Sequence, residues 1–330
     1  MNEEEKTDIN TEAQATSYNN AGAPAENVHA KKEMSPLMKK LAGGVITSWF
    51  IGYMLMVVGS MVGQLLLQIP LGMMGYLNDD HPVIVTAVTY LGFIGIWAAV
   101  FIFIRGFREE WPFLRKIIGR ITPAAVLGWI LGLVFIGGMN FICILLAKHN
   151  GDIFLSFDCF EIAPLIFLFI AVFIQSGAEE LICRGFIYRR VEKTYNPIVA
   201  TVSNALLFAL IHVMNPGVTV LSLLNVFLCG IMFSLIIYYT DSMAFAMAGH
   251  AGWNFCQSII FGLPNSGQVF PYSIFKLDAS NARDSFFYNV GFGVEGTAFA
   301  VIILAVACVV IIVLGQLKII KRPSNIKPLI

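Results

Sequence analysis

The stretch IAPLIFLFIAVFIQSGAEELICRG, residues 162–185, opens as an uncharged apolar run and closes on two adjacent glutamates, Glu179 and Glu180, with Arg184 one helical turn further on. A run of this length is close to the roughly 20 residues that an α-helix needs to cross a hydrocarbon core. Ionisable groups at membrane depth are costly, about 2.5–3.5 kcal/mol for an Asp, Lys or Arg at a helix centre, so by default they mark functional positions. Two of the five histidines, His212 and His250, lie inside other apolar runs. The chemistry is expected among these residues.

The remainder of the chain has the same character. Of its 330 residues 57% are hydrophobic and 13% charged, against roughly 25% charged in ordinary soluble domains, and the mean hydropathy is +0.76. Eight apolar segments, about 42–68, 82–104, 121–147, 162–180, 197–213, 218–239, 242–263 and 295–317, predict an all-α, multi-pass membrane helix bundle of about eight transmembrane spans. The fifth is short. Residues 1–35 are rich in Glu, Asn, Ala, Thr and Lys without an apolar period, and read as a disordered tail ahead of a bundle over 36–330. The first apolar segment starts near Leu41 and is too long for a cleavable core, so no signal peptide is expected.

Charge distribution sets an orientation. If the first span leaves the cytoplasm, 18 of the 21 lysines and arginines fall in inside segments and only Lys148, Lys276 and Arg283 fall outside. By the positive-inside rule both termini are then cytoplasmic. The formal net charge of zero argues against nucleic acid as a partner. The cysteines, Cys143, Cys159, Cys183, Cys229, Cys256 and Cys308, form no Cys-x-x-Cys pair and read as small core residues rather than as disulfides or zinc ligands. The longest outside connection, about 264–294, reads equally as an ordered or a mobile loop.

Three polar patterns stand out. On a helix Glu180 and Arg184 share a face at the favoured ion-pair spacing, while Glu179, turned by about 100°, needs a partner from another span. A carboxylate in a low-dielectric site is pushed toward a range where it exchanges protons near neutral pH. The bland alternative is a solvated charged collar at the membrane boundary, against which stand Ser176, Gly177 and Ala178, small residues that admit close approach. In Phe208-Ala-Leu-Ile-His212 the ring and the imidazole share a face one turn apart. A lone histidine there is more often a hydrogen-bonded core or boundary group. In His250-Ala-Gly-Trp-Asn254 two polar groups again share a face, suited to an oxyanion, to a metal-bound water, or simply to a polar helix contact.

Taken together, Glu-Glu-x-x-x-Arg, Phe-x-x-x-His and His-x-x-x-Asn, in that order on three spans, resemble the CAAX-protease and bacteriocin-processing family of intramembrane proteases, also known as the Abi family, which includes the type II prenyl-protein endopeptidases. The resemblance covers about 160–260 and is matched by Glu179, Glu180, Arg184, Phe208, His212, His250 and Asn254. It implies a helical bundle with a conical central cavity open to the cytoplasmic side, in which peptide bonds are hydrolysed. It implies that Glu179 with His212 activates the attacking water, that His250 and Asn254 stabilise the tetrahedral oxyanion, and that Glu180, Arg184 and Phe208 shape the site. Two histidines and a carboxylate, here Glu179, His212 and His250, would make an acceptable catalytic zinc set, so Zn2+ or another divalent metal stays open beside a metal-free glutamate base. The partners implied are a peptide or protein substrate in or near the lipid bilayer, prenylated or not, and the location is a bacterial plasma membrane.

Rival proteases fit less well. There is no His-Glu-x-x-His, no Gly-x-Ser-Gly, and Gly291-Phe292-Gly293 is followed by Val294-Glu295 rather than by an aspartate. Non-enzymatic readings remain: a small transporter, a bacteriocin-immunity protein that binds a peptide without cutting it, or a scaffold working through its tail. One geometric difficulty arises. If the fourth span ends at Glu180, His212 lies about 24 Å from the face that Glu179 occupies, and bringing them together calls for an amphipathic elbow over Leu181–Lys193 or a dip of the Met214–Pro216 connection into the bundle.

Overall fold

The computed structural model describes residues 43–106 and 122–320, together with Ser35 and Leu41. The expected 1–35 tail therefore lies outside the described residues, apart from Ser35. In chain order the helices are α1 (Val45–Met73), α2 (Pro82–Leu91), α3 (Ile94–Gly106), α4 (Pro123–Gly132), α5 (Gly138–His149), α6 (Ile162–Glu180), α7 (Arg189–Thr194), α8 (Pro197–Leu210), α9 (Val220–Thr240), α10 (Met243–Asn254) and α11 (Ala298–Gln316). π-helical turns join α4 to α5 (Leu133–Gly137) and α6 to α7 (Leu181–Tyr188), and another extends α10 (Phe255–Ile260). The one sheet among the described residues is the antiparallel pair β1 (Leu155–Phe157) and β2 (Phe275–Leu277).

The all-α multi-pass membrane bundle is as expected, and the span count roughly fits. Among the described residues six helical stretches are long and apolar enough to cross a membrane: 45–73, 82–106, 123–149, 162–194, 220–240 and 298–316. Pro197–Leu210 is apolar but shorter. Helices are the natural solution here because a backbone surrounded by hydrocarbon must satisfy its own hydrogen bonds. Their starts are written in side chains: Thr122 caps Ala125 N, Asn196 caps Val199 N, Ser242 caps Phe245 N and Thr297 caps Ala300 N, while Thr219 and Ser222 form a reciprocal capping box. Large apolar side chains such as Ile46, Phe50, Leu66, Ile102, Val134 and Val309 point outward and are exposed, a liability in water and the expected surface in lipid.

Packing is centred on α10, whose residues from Ala246 to Asn254 are all buried. It packs against α4, the Leu133–Gly137 turn and α6. α1 crosses α3 so closely that a Cβ at Gly95 would collide with the carbonyl oxygen of Gly59. Only glycine allows that approach, which brings backbone against backbone as membrane helices commonly do.

The depth difficulty vanishes because the fourth span does not end at Glu180. The helix continues through the π turn and α7 to Thr194, and after Tyr195-Asn196 α8 returns beside it. Glu179 lies fifteen residues before Thr194 and His212 fifteen after Pro197, so both are about 22 Å from the turn. Neither an elbow nor a dip is needed. Arg189 Nη2 donates to Asp241 Oδ1 at 2.5 Å. From that rung Glu179 is ten residues away and His250 nine, so all three side chains reach one level.

The same rung defines one face of the bundle. Gly52 of α1 packs on Ile187, Phe103 of α3 meets Phe186 edge-on at 5.5 Å, Gly128 of α4 lies against Ser242 and Gly315 of α11 against the Tyr239 ring. The opposite face carries the β1–β2 pair and an anchor at Asp152, which is fully buried and accepts from Asn150 Nδ2 (2.9 Å), Arg283 Nε (3.2 Å) and Ser285 Oγ (2.6 Å). Within 264–294 the described backbone is tied down, so the ordered alternative holds for this loop. Burial alone would raise the Asp152 pKa, but the bonds from Ser285, Asn150 and Arg283 outweigh it and hold the carboxyl below its ordinary value. A depressed folded pKa contributes stability above the unfolded value, near 4, that is lost as pH falls through the folded value. Asp152→Asn is therefore expected to lower the melting temperature at pH 7 and to remove the corresponding acid-side loss, measured by thermal melts in detergent between pH 7 and pH 3.

Candidate functional site

A cavity of about 450 Å³ opens between α1, α2, α6, α8 and α10, and Glu179, His212, His250 and Asn254 all line it. Phe208 lines it too. Glu180 and Arg184 lie behind that wall, both wholly inaccessible to solvent.

Glu180 is the hub of the layer behind. Its Oε1 accepts from Arg184 Nη1 at 2.9 Å and from His250 Nδ1 at 2.9 Å. A carboxylate only accepts, so Nδ1 carries the proton and the His250 Nε2 edge is turned toward Glu179, 3.8 Å from its Oε2. The i,i+4 pair was legible in the sequence; the reach of Glu180 to His250 was not. Arg184 is held from every side: its Nη2 donates to the Gly230 carbonyl at 3.3 Å, and its guanidinium lies 4.3 Å from the Phe208 ring centroid and 5.2 Å from that of Phe233. Such cation–π contacts suit a desolvated guanidinium. Phe233 also stacks on His250 at 5.6 Å, and Phe208 meets it edge-on at 6.0 Å, so the imidazole plane is fixed by rings as well as by the carboxylate.

Glu179 is nearly buried, 9% exposed, and Gln175 Nε2 donates to its Oε1 at 2.6 Å. Asn254 Nδ2 in turn donates to Gln175 Oε1 at 3.2 Å and to Ser176 Oγ at 3.1 Å. One continuous chain of bonds therefore runs from Asn254 through Gln175 to Glu179. His212 sits in the turn after α8, its Nδ1 2.7 Å from the Phe208 carbonyl oxygen and its ring 4.9 Å from that of Phe208. A carbonyl cannot donate, so Nδ1–H is the donor and the other nitrogen, Nε2, is free to accept. Glu179 and His212 both face this one cavity.

Among the described residues no group of three or more His, Cys, Asp or Glu side chains is arranged to hold a metal ion.

Sequence reasoning passed over three groups. Gln175 stands one turn before Glu179 and its spacing alone could have drawn attention. Phe233 carried no signal beyond being one apolar residue among many. Glu295, set aside with its Gly-Phe-Gly-Val neighbours, lines the cavity and binds Trp253 Nε1 at 2.7 Å through Oε1, and Ser266 N and Oγ at 2.6 and 2.9 Å through Oε2.

A polytopic all-α membrane protein with a carboxylate and two histidines converging on an internal cavity defines the class. Residues 161–256 match the family model described as Type II CAAX prenyl endopeptidase Rce1-like. This segment is similar to CAAX protease domains of that kind, which supports an intramembrane endopeptidase in general terms. The matched interval contains every motif residue from Glu179 to Asn254. No curated protein and no solved structure matches the chain significantly.

Proposed function

We propose that this protein hydrolyses peptide bonds of membrane-associated peptides or proteins by glutamate-dependent water activation. The observation that carries the reading is the convergence of Glu179, His212, His250 and Asn254, from three separate segments, on one cavity wall. Glu179, oriented by Gln175, takes a proton from a water that His212 Nε2 helps to hold. The resulting hydroxide attacks the carbonyl carbon, and His250, its ring fixed by Glu180 and Phe233, donates through Nε2–H to the oxyanion. Collapse breaks the C–N bond while Glu179 returns its proton to the leaving amine. Substrates are peptide segments in or at the bilayer, with or without a prenyl group. The setting is a bacterial plasma membrane with both termini cytoplasmic, an orientation that rests on the lysine and arginine count.

The test is cleavage of quenched peptides, with and without a lipidated C-terminal cysteine, by detergent-purified wild type and Glu179→Gln, each with and without a zinc chelator. Cleavage by wild type alone, unaffected by chelation, is the expected result. Cleavage abolished by the chelator and restored by Zn2+ would give the attacking water to a metal instead. A folded wild type that cleaves nothing would favour peptide binding or transport.

Asn254 has two routes to the rate. Both of its N–H bonds go to α6, so it acts either as a direct oxyanion donor after rearrangement or by positioning Glu179 through Gln175. Asn254→Ala is expected to lower kcat about 10²-fold. An equal loss in Gln175→Ala, with no further loss in the double variant, assigns the positioning role; an unchanged rate in Gln175→Ala assigns direct donation.

A further inference from the structure

Apart from Glu179, the carboxylate lining the cavity is Glu295, which the mechanism above does not use and which lies beyond the matched interval 161–256. It is buried in a short turn of 3-10 helix, Val294–Gly296, and its bonds reach three other elements. Oε1 accepts from Trp253 Nε1 of α10, and Oε2 accepts from both the backbone N–H and the hydroxyl of Ser266. Its backbone carbonyl accepts from Asn225 Nδ2 of α9 at 2.6 Å. A buried carboxylate engaged at both oxygens holds its partners as firmly as they hold it.

The Ser266 arm leads to His212. Asn265 and Gln268 exchange two backbone bonds, of 2.8 and 2.9 Å, around Ser266 and Gly267, whose φ angles are 48° and 82°. Two successive positive φ angles make a tight turn of type I′. Glycine takes such a conformation freely and serine does not, so Ser266 relies on its two bonds to Glu295. The Ser266 carbonyl in turn accepts from Asn215 Nδ2 at 3.0 Å, and Gly267 packs on the Pro216 carbonyl. Asn215 N donates to the His212 carbonyl at 3.1 Å. His212 lies past the end of α8 at Leu210, and Val213 and Met214 beside it are exposed. Apolar packing therefore does little to fix this turn; the contacts at Asn215, at Pro216 and of Gly217 with the Gly291 carbonyl do.

The Trp253 arm leads to the other half of the site. Trp253 stands directly before Asn254 and three residues after His250 on α10, and it lines the cavity. One side chain thus links the wall that carries His250 and Asn254 to the turn that carries His212.

We infer that Glu295 is a positioning residue, which through Ser266 and Asn215 fixes His212 relative to α10 and so sets the geometry of the chemical step. Its effect on rate rests on the endopeptidase reading above; the link from Glu295 to the His212 turn rests on the bonds alone. None of those bonds goes to Glu179, His212, His250 or Asn254, so loss of Glu295 is read in turnover rather than in substrate affinity.

Glu295→Gln tests the link, because an amide accepts at one atom where the carboxylate accepts at two, and one arm must part. Asn215→Ala, at a half-buried position, cuts the same path without disturbing a buried carboxylate and decides the matter where Glu295→Gln does not fold. By hydrogen–deuterium exchange of the full chain in detergent, each variant is expected to exchange faster over 211–217, with 197–208 and 246–254 unchanged. In cleavage of the quenched peptides kcat is expected to fall about 10–10²-fold with KM little altered. Ser266→Gly added to Glu295→Gln is expected to restore part of kcat, since glycine keeps the positive φ unaided. Unaltered exchange over 211–217, faster exchange spread evenly over α8 and α10, or a loss carried by KM without rescue by Ser266→Gly overturns the inference. Faster exchange confined to 211–217 with no cleavage even by wild type would reject the protease reading and leave the link standing.

Discussion

Glu179→Gln is expected to lower kcat by about 10²–10⁴-fold, the range for loss of a positioned general base, while leaving the melting temperature within a few degrees of wild type. The amide is nearly isosteric and keeps an oxygen for Gln175 Nε2, whose 2.6 Å bond holds the side chain, so the geometry survives while the proton acceptor is lost. His250 also stays in place, because its Nδ1 bond goes to Glu180 and its ring is stacked on Phe233. Single-turnover cleavage and a thermal melt on the same preparation separate the two effects. A variant that retains wild-type turnover would remove Glu179 from the mechanism; one that fails to fold would make it a structural residue.

Arg184→Ala is expected to cost about 3–5 kcal/mol, the price of leaving a buried carboxylate without its cation, or roughly 6–20 °C in melting temperature by the scaling for mid-sized domains. Nothing else near Glu180 replaces that charge except His250, which the site needs for itself. Activity should fall with stability, since a Glu180 that draws the imidazolium fully to itself no longer presents Nε2 as before. Glu180→Gln/Arg184→Met separates charge from packing: removing both charges at similar volume is expected to recover much of the stability but not the activity. Equal destabilisation in single and double variants would put the cost in the cradle of Phe208 and Phe233 rather than in the stranded carboxylate, and an unaltered melt for Arg184→Ala would dismiss the ion pair altogether.

The candidate site was readable because membrane depth makes polarity rare. In a chain with 13% charged residues, an apolar run that carries Glu179 and Glu180 cannot hide them, and spacing of four along a helix pairs Glu180 with Arg184, Phe208 with His212 and His250 with Asn254 by periodicity alone. Fold class followed from the same hydropathy. Boundaries did not: Arg184, Arg189 and Arg190 look like the end of a span, so the helix was cut at Glu180, although it continues to Thr194. Local composition misjudges this because Arg184 is neutralised within the bundle by a partner one turn back and roofed by aromatic rings from α8 and α9.

By itself, then, the sequence determined a polytopic helical bundle, the candidate residues for its chemistry and the pairs that lie within one helix, since these depend on hydropathy and on a 3.6-residue repeat. Only the tertiary structure decided that Glu180 reaches across to His250, that Asn254 is linked to Glu179 through Gln175, and that Glu295 and the 264–268 turn close one end of the cavity. Those contacts between elements join residues 29 to 79 positions apart. They depend on where each helix stops and which neighbour it meets, and no spacing along the chain encodes either.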